Sequence, residues 1–270
     1  MKRKQWLIIL LLVILLIIVI FFLFRSRKTG VSRTEAVRAP SGMLNFLPGS
    51  GNKEIIVHKG YTLSYAEKYE EAEWVAYKLS RDMLYGKVRR TDRFIADPEV
   101  PTGSSDPKDY TGTGYDKGHL CPAADMSSSR ELMLESFYMS NMTPQDEAFN
   151  RGIWSKLEKQ VRQWAKEDSL IYIVTGPVFG KKMQYIGRRN KVAVPPAFYK
   201  VILSYAPGHP VKGIGFIIPN EGSNLPLTSF IVSIDSVESA TGIDFYPALS
   251  DDIENVVEKK SDAAEWDFNE

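Results

Sequence analysis

The chain has 270 residues, 44% apolar and 25% charged, an ordinary globular composition that excludes wholesale disorder. One cysteine, Cys121, excludes an internal disulfide and a four-cysteine zinc site, and three histidines, His58, His119 and His209, supply no HExxH or Cys2His2 set. The net charge of +1 hides seven bases and no acid in residues 1–33, so the remainder holds 27 bases against 33 acids, a net of −6; a broad charge-driven nucleic-acid binder is normally basic, and any such contact here must come from a local cluster.

Trp6 to Phe24 is an unbroken apolar run of 19 residues. As a helix it would be about 28 Å long, close to the hydrocarbon thickness of a bilayer. No small-residue cleavage pattern follows it, so the sequence predicts a single-pass membrane anchor with basic flanks over 1–28, bound to the lipid bilayer through residues 6–24. Bases on both sides nearly balance the positive-inside rule. Residues 29–52, rich in Ser, Gly, Pro and Arg, read as a linker before a domain over 53–249.

Within that domain Ile55–His58 and Tyr61–Tyr65 read as strands joined at Gly60, a hairpin. Ala66 to Leu84 reads as a helix, from Tyr69, Ala72, Trp74, Tyr77, Leu79 and Met83. Residues 96–115 read as loop, Leu132–Phe137 as a short helix or turn, and Tyr138–Ser140 as a strand end. Phe149 to Lys166 reads as a second helix, with Ile153, Trp154, Leu157, Val161 and Trp164 at threes and fours. Strand-like runs follow at 170–175, 191–194, 199–204, 213–218 and 230–233, and residues 250–270 read as a solvated acidic tail. Helices and strands do not alternate, so a doubly wound parallel sheet is not indicated.

Three segments concentrate unusual polar residues: Gly114–Pro122, Ser140–Gln145 and Phe149–Glu158, with Arg162 one turn on. Asn150, Trp154, Glu158 and Arg162 are spaced by four and share one side of a helix. Asn150 falls at its start, where a side-chain oxygen is free to cap the helix or to bind a hard cation. Spacing alone leaves both open. His119 alone reads as readily as structural as catalytic, although a neutral imidazole suits a general base at neutral pH.

Together these segments resemble the DNA/RNA non-specific endonucleases, a branch of the ββα-metal nucleases. The family's D-R-G-H motif stands here as Asp116-Lys117-Gly118-His119, its N-x-x-P-Q stretch as Asn141 to Gln145, and its N-x-x-x-W-x-x-x-E helix as Asn150, Trp154 and Glu158. An upstream R-x-D-x-F element matches at Arg90, Asp92 and Phe94. The resemblance runs from about Ile55 to Pro247. It implies an α+β domain with a central antiparallel sheet flanked by helices and a ββα-metal element at the active site. It implies a Mg²⁺-dependent phosphodiesterase, with Mn²⁺ able to substitute, that cuts DNA and RNA and leaves 5′-phosphate ends. His119 would be the general base, Asn150 the direct metal ligand, and Glu158 the group holding metal-bound water. Asn141 would order the site around the base and phosphate. Arg90 would bind the phosphate, with Arg162 a weaker candidate for the same task and Asp116 an orienting carboxylate. Lys117 departs from the family's arginine and loses its planar fork, which puts a bidentate phosphate contact at 117 in doubt.

Two rival readings are a phosphodiesterase with a non-nucleic substrate and a non-catalytic, membrane-tethered binding module. No GxSxG elbow is present, and Gly176–Lys182 lacks the spacing and the Ser/Thr of a P-loop. A nuclease loose in the cytoplasm would attack the cell's own nucleic acid, so the expected location of the catalytic domain is periplasmic or extracellular.

Overall fold

The computed structural model describes residues 45–49 and 54–268. The expected membrane span at 6–24 and most of the linker lie outside the described residues; among those described, no helix is long and apolar enough to cross a membrane.

Eleven strands are described: β1 (Glu54–Val57), β2 (Thr62–Ala66), β3 (Glu71–Ser80), β4 (Tyr115–His119), β5 (Met142–Asp146), β6 (Leu170–Val178), β7 (Gln184–Ile186), β8 (Val192–Val194), β9 (Ala197–Ser204), β10 (Lys212–Pro219) and β11 (Ile231–Val232). Seven form one sheet in the order β1-β2-β3-β6-β9-β10-β11, and every neighbouring pair is antiparallel. The expected central antiparallel sheet is therefore present. β4 with β5 and β7 with β8 make two separate ribbons.

Side-chain alternation assigns the two faces of the sheet. Tyr77, Ile173, Ile202 and Ile214 lie opposite one another across four strands and enter the core that also takes Trp154, Leu157, Val161 and Trp164. The next row, Ala76, Val174 and Val201, points the other way, into a second core with Ile234, Val237, Ile253 and Val257. Helix α2 (Ser155–Asp168) covers the first face. Helices α3 (Ile234–Thr241) and α4 (Asp251–Val257) cover the second, while the short α1 (Arg130–Glu135) precedes β5.

Two expectations are corrected. The helix expected over 66–84 is strand β3 followed by a 3₁₀ turn, Arg81–Tyr85. Nine of the ten β3 residues are buried or half-buried, because this central strand packs on both faces, and a two-sided apolar run mimics a broad helical stripe. The expected solvated tail is also packed. Helix α4 buries Ile253 and Val257, and Trp266 sits edge-on against Trp164 with ring centroids 4.7 Å apart. Gln160 and Trp164 both donate to the Asp267 carbonyl at 2.7 Å, fastening the chain end to helix α2.

Candidate active site

The β4–β5 ribbon carries the Asp116–His119 motif on a strand that follows the loop. Its register pairs Asp116 with Gln145, Gly118 with Thr143 and His119 with Met142. A Cβ at Gly118 would lie 2.1 Å from the buried Gln145 amide, so only glycine allows the strands to close here. Asn141 locks the end of the ribbon: its Oδ1 accepts from the Cys121 amide at 2.8 Å, and its Nδ2 donates to the carbonyls of Cys121 and Ser136, both at 2.9 Å. That fixes the backbone two residues beyond His119. Asn141 is itself wholly buried and does not reach the cleft.

The third element of the site starts differently from the expectation. Asp146, not Asn150, caps the helix start by accepting from the Phe149 amide at 3.0 Å. Glu147–Phe149 is helical, Asn150–Trp154 opens into a π turn with a kink at Gly152, and α2 follows. Asn150 is thus released from capping. Its Nδ2 donates to Asp116 Oδ2 at 2.9 Å, which fixes the amide and leaves Oδ1 as a free hard oxygen. Arg151 grips the same carboxylate with two bonds of 3.0 Å. Asp116 thereby joins β4 to the helix segment that carries Asn150 and Arg151.

Arg90, Lys117, His119, Asn150, Arg151 and Glu158 converge on one cleft of about 310 Å³. His119 is 8% exposed, its Nε2 has no hydrogen-bond partner, and its ring meets the Phe137 ring edge-on at 4.9 Å. Burial, followed by the nearby Arg90 charge, depresses its pKa from 6.5 to about 3, so the imidazole is neutral. Asp92 holds Arg90 by an ion pair of 2.5 Å and adopts φ 51°, a left-handed conformation uncommon outside glycine. The Arg90 guanidinium also stands 4.9 Å above the Phe137 ring. Lys117 Nζ sits 5.1 Å over Phe94 and 5.9 Å from the Tyr110 ring, a point charge supported by aromatic faces.

Behind the cleft lies a buried charge cluster that the sequence reading missed. Lys200, fully buried on β9, stands 4.6 Å over the Trp154 ring with no hydrogen bond to its Nζ. Burial lowers its pKa, and burial raises that of Glu158 against the opposing pull of Lys200. Asp125 receives Arg162 Nη1 and the Tyr77 hydroxyl, each at 3.0 Å. Arg162 is thereby engaged behind the cleft and does not line it. The available signal for Lys200 was a lysine between Phe198 and Ile202, on the buried parity of an apolar strand. Asp125 offered no comparable signal. Cys121 is a buried free thiol, and burial pushes its pKa well up. His58 is buried too, paired with Asp97 Oδ2 at 2.9 Å.

A ribbon and a helix thus present an imidazole, an amide oxygen and a carboxylate to one cationic cleft. The DNA/RNA non-specific endonuclease family model matches residues 42–252, and the chain belongs to that family of hydrolases. It is 36% identical over 217 residues to Nuclease C1 of Cunninghamella echinulata var. echinulata, covering 75% of this chain and 86% of that one. It is 36% identical over 219 residues to the mitochondrial nuclease EXOG of Danio rerio, covering 75% of this chain but only 63% of the fish protein. A crystal structure of an EndoG/EndoGI complex superposes with a TM-score of 0.69 at 31% identity, covering 74% of this chain and 88% of that one.

Proposed function

We propose that the protein is a Mg²⁺-dependent endonuclease that hydrolyses DNA and RNA without sequence preference and leaves 5′-phosphate ends. One observation carries the reading: His119, Asn150, Glu158 and Arg90 share one cleft wall. The donor set suits Mg²⁺, which favours one or two oxygen ligands and keeps its remaining waters. Asn150 Oδ1 would hold it directly and the Glu158 carboxylate through a bound water, and the cation would supply Lewis-acid stabilisation of charge on the phosphate.

The residues then divide the work. His119, neutral because it is buried, accepts the proton of the attacking water. A base of pKa about 3 is weak, and the arriving phosphodiester anion strengthens it by offsetting the field of Arg90. Arg90 binds the phosphate and stabilises the charge that builds in the transition state. Lys117 adds a second positive charge without a bidentate fork. Asp116 keeps the Asn150 oxygen turned to the cleft, and Asn141 holds the strand that carries His119. In this reading residues 6–24 anchor the enzyme in a membrane, with the catalytic domain on the periplasmic or external side.

The test is cleavage of plasmid DNA, single-stranded DNA and RNA by the full chain, with Mg²⁺ and with EDTA. Expected are cleavage of all three, none in EDTA, and a loss of about 10²–10⁴ in kcat for His119→Ala. A folded protein that cleaves none of them with Mg²⁺ overturns the nuclease reading. Protease digestion of intact spheroplasts reads the orientation: a fully protected domain contradicts an external one.

A further inference from the structure

The 52 residues between Asp168 and Glu221 contain no acid, in a body whose net charge is −6. Five of the bases in this stretch, Lys181, Lys182, Arg188, Arg189 and Lys191, belong to the β7–β8 hairpin and its approach. All five are exposed, and none makes an ion pair among the described residues. Other surface cations have carboxylate partners, Arg151 with Asp116 and Glu147, Lys59 with Glu131 and Lys260 with Glu265, and the unpaired ones outside this stretch lie in segments that also carry acids. The hairpin is thus a concentrated patch of uncompensated positive charge.

Its mounting is rigid and lies next to the cleft. Ile186, Val192 and Val194 bury into a small core with Tyr110 and Met142, flanked by Phe94, the ring beneath Lys117. The tip is a tight turn: Gly187 has φ 84°, and Asp109 binds the Asn190 amide nitrogen Nδ2 at 2.8 Å. That turn holds Arg188 and Arg189 outward. Asp109 is the one carboxylate bonded to the hairpin among the described residues, and it is buried beneath the turn. On the other edge the Tyr115 hydroxyl donates to Gln184 Oε1 at 3.4 Å. Tyr115 begins the strand that ends at His119, four residues on, a separation of about 13 Å at the usual strand rise.

We infer that the β7–β8 hairpin is an arm that binds the nucleic-acid backbone away from the scissile phosphate. None of the five bases lines the cleft itself. The arm therefore contributes nothing to a minimal diester and grips only a substrate that extends past the cleft. Its contacts are to phosphates, which position the substrate and carry no sequence information. The acidic remainder of the body explains why binding concentrates here. This inference rests on the nuclease reading.

The test uses the full chain and a variant carrying Lys181→Gln, Lys182→Gln, Arg188→Gln and Arg189→Gln. With Mg²⁺, KM for a 20-base-pair duplex should rise at least about tenfold at 0.1 M salt. The log KM against log salt slope should flatten by about 2 to 4, at roughly 0.9 per lost phosphate contact. Turnover of bis(4-nitrophenyl) phosphate should be unchanged, and the penalty should emerge as the substrate lengthens from a dinucleotide to the duplex. Equal KM and equal salt slope on the duplex overturn the inference. If the variant also loses the small diester, the double variant at the exposed tip, Arg188→Gln with Arg189→Gln, decides by the same criteria. If wild type cleaves nothing, the nuclease reading falls by itself. The arm is then judged by duplex affinity in EDTA, where an unchanged Kd overturns it.

Discussion

At the scale of single residues, the base in the proposed mechanism is a histidine held neutral by its surroundings. His119 loses solvation in a pocket edged by Phe94 and Phe137, and Arg90 adds a like charge to any imidazolium formed there. Both effects favour the neutral ring. The expected outcome in an NMR titration is that His119 shows no protonation step between pH 5 and pH 8. Arg90→Gln removes one of the two causes and should raise the His119 pKa while leaving it below 6.5, since burial is the larger cause. A wild-type midpoint near 6.5 would show that the ring is hydrated and that burial does not govern it. At this scale much of the site was legible. His119, Asn150, Glu158, Arg90 and Lys117, all drawn from sequence motifs, line one cleft, and Asp116 bonds to Asn150 beside it. Asn141 and Arg162 were legible as residues but not as positions, because a motif does not tell whether a side chain faces the cleft or the structure behind it. Asp125 and Lys200 come from segments far apart in the chain, and no local spacing joins them.

At the scale of elements, the ribbon and the π turn do what an ideal helix could not. A regular helix from Asn150 would have placed that residue at the cap, with its oxygen spent on a backbone amide. Asp146 takes the cap instead, and the opened turn at Asn150–Trp154 hands the Asn150 amide to Asp116. The ribbon depends on Gly118 in turn. Gly118→Ala forces a methyl into the buried Gln145 side chain, an overpacking that costs about 1–3 kcal/mol. For a domain of this size that lowers Tm by roughly 2–4 °C per kcal/mol. Adding Gln145→Ala opens the space and should recover most of the loss in a thermal melt; a double variant as unstable as the single one would contradict the steric account. The sequence disclosed the hairpin, the site helix and the later strands, because each had one clear period. It misplaced β3, whose ten residues pack on both faces, and it missed β4 and β5, whose Gly, Pro, Lys and Asp content reads as loop.

At the scale of the whole molecule, two buried carboxylates contribute to the pH response of stability in opposite senses. Asp97 is pushed up by burial, but the hydrogen bonds from His58 and Ser140 outweigh that and leave its pKa lowered. Its contribution is present above the unfolded carboxylate range and is lost as pH falls through the folded pKa. Glu258 behaves in the opposite sense. Burial, and then Glu238, Glu254, Asp235 and Asp244 around it, raise its pKa to about 8. Asp235, Glu238 and Glu258 bring carboxylate oxygens within 4.8 Å of one another, on the face that the expected solvated tail covers as a packed helix. Between the unfolded value near 4.5 and the folded value near 8 the native state therefore holds a proton that the unfolded chain has released. Each step up in pH across that window costs stability, and the cost is complete above pH 8. Glu258→Gln retains the shape and removes the ionisation. Thermal melts across pH 5 to 9 should show the variant and wild type close together at pH 5 and the variant increasingly more stable toward pH 9. A constant difference at every pH would mean that Glu258 keeps the same protonation in both states, and that the acidic cluster does not shape the stability of the fold.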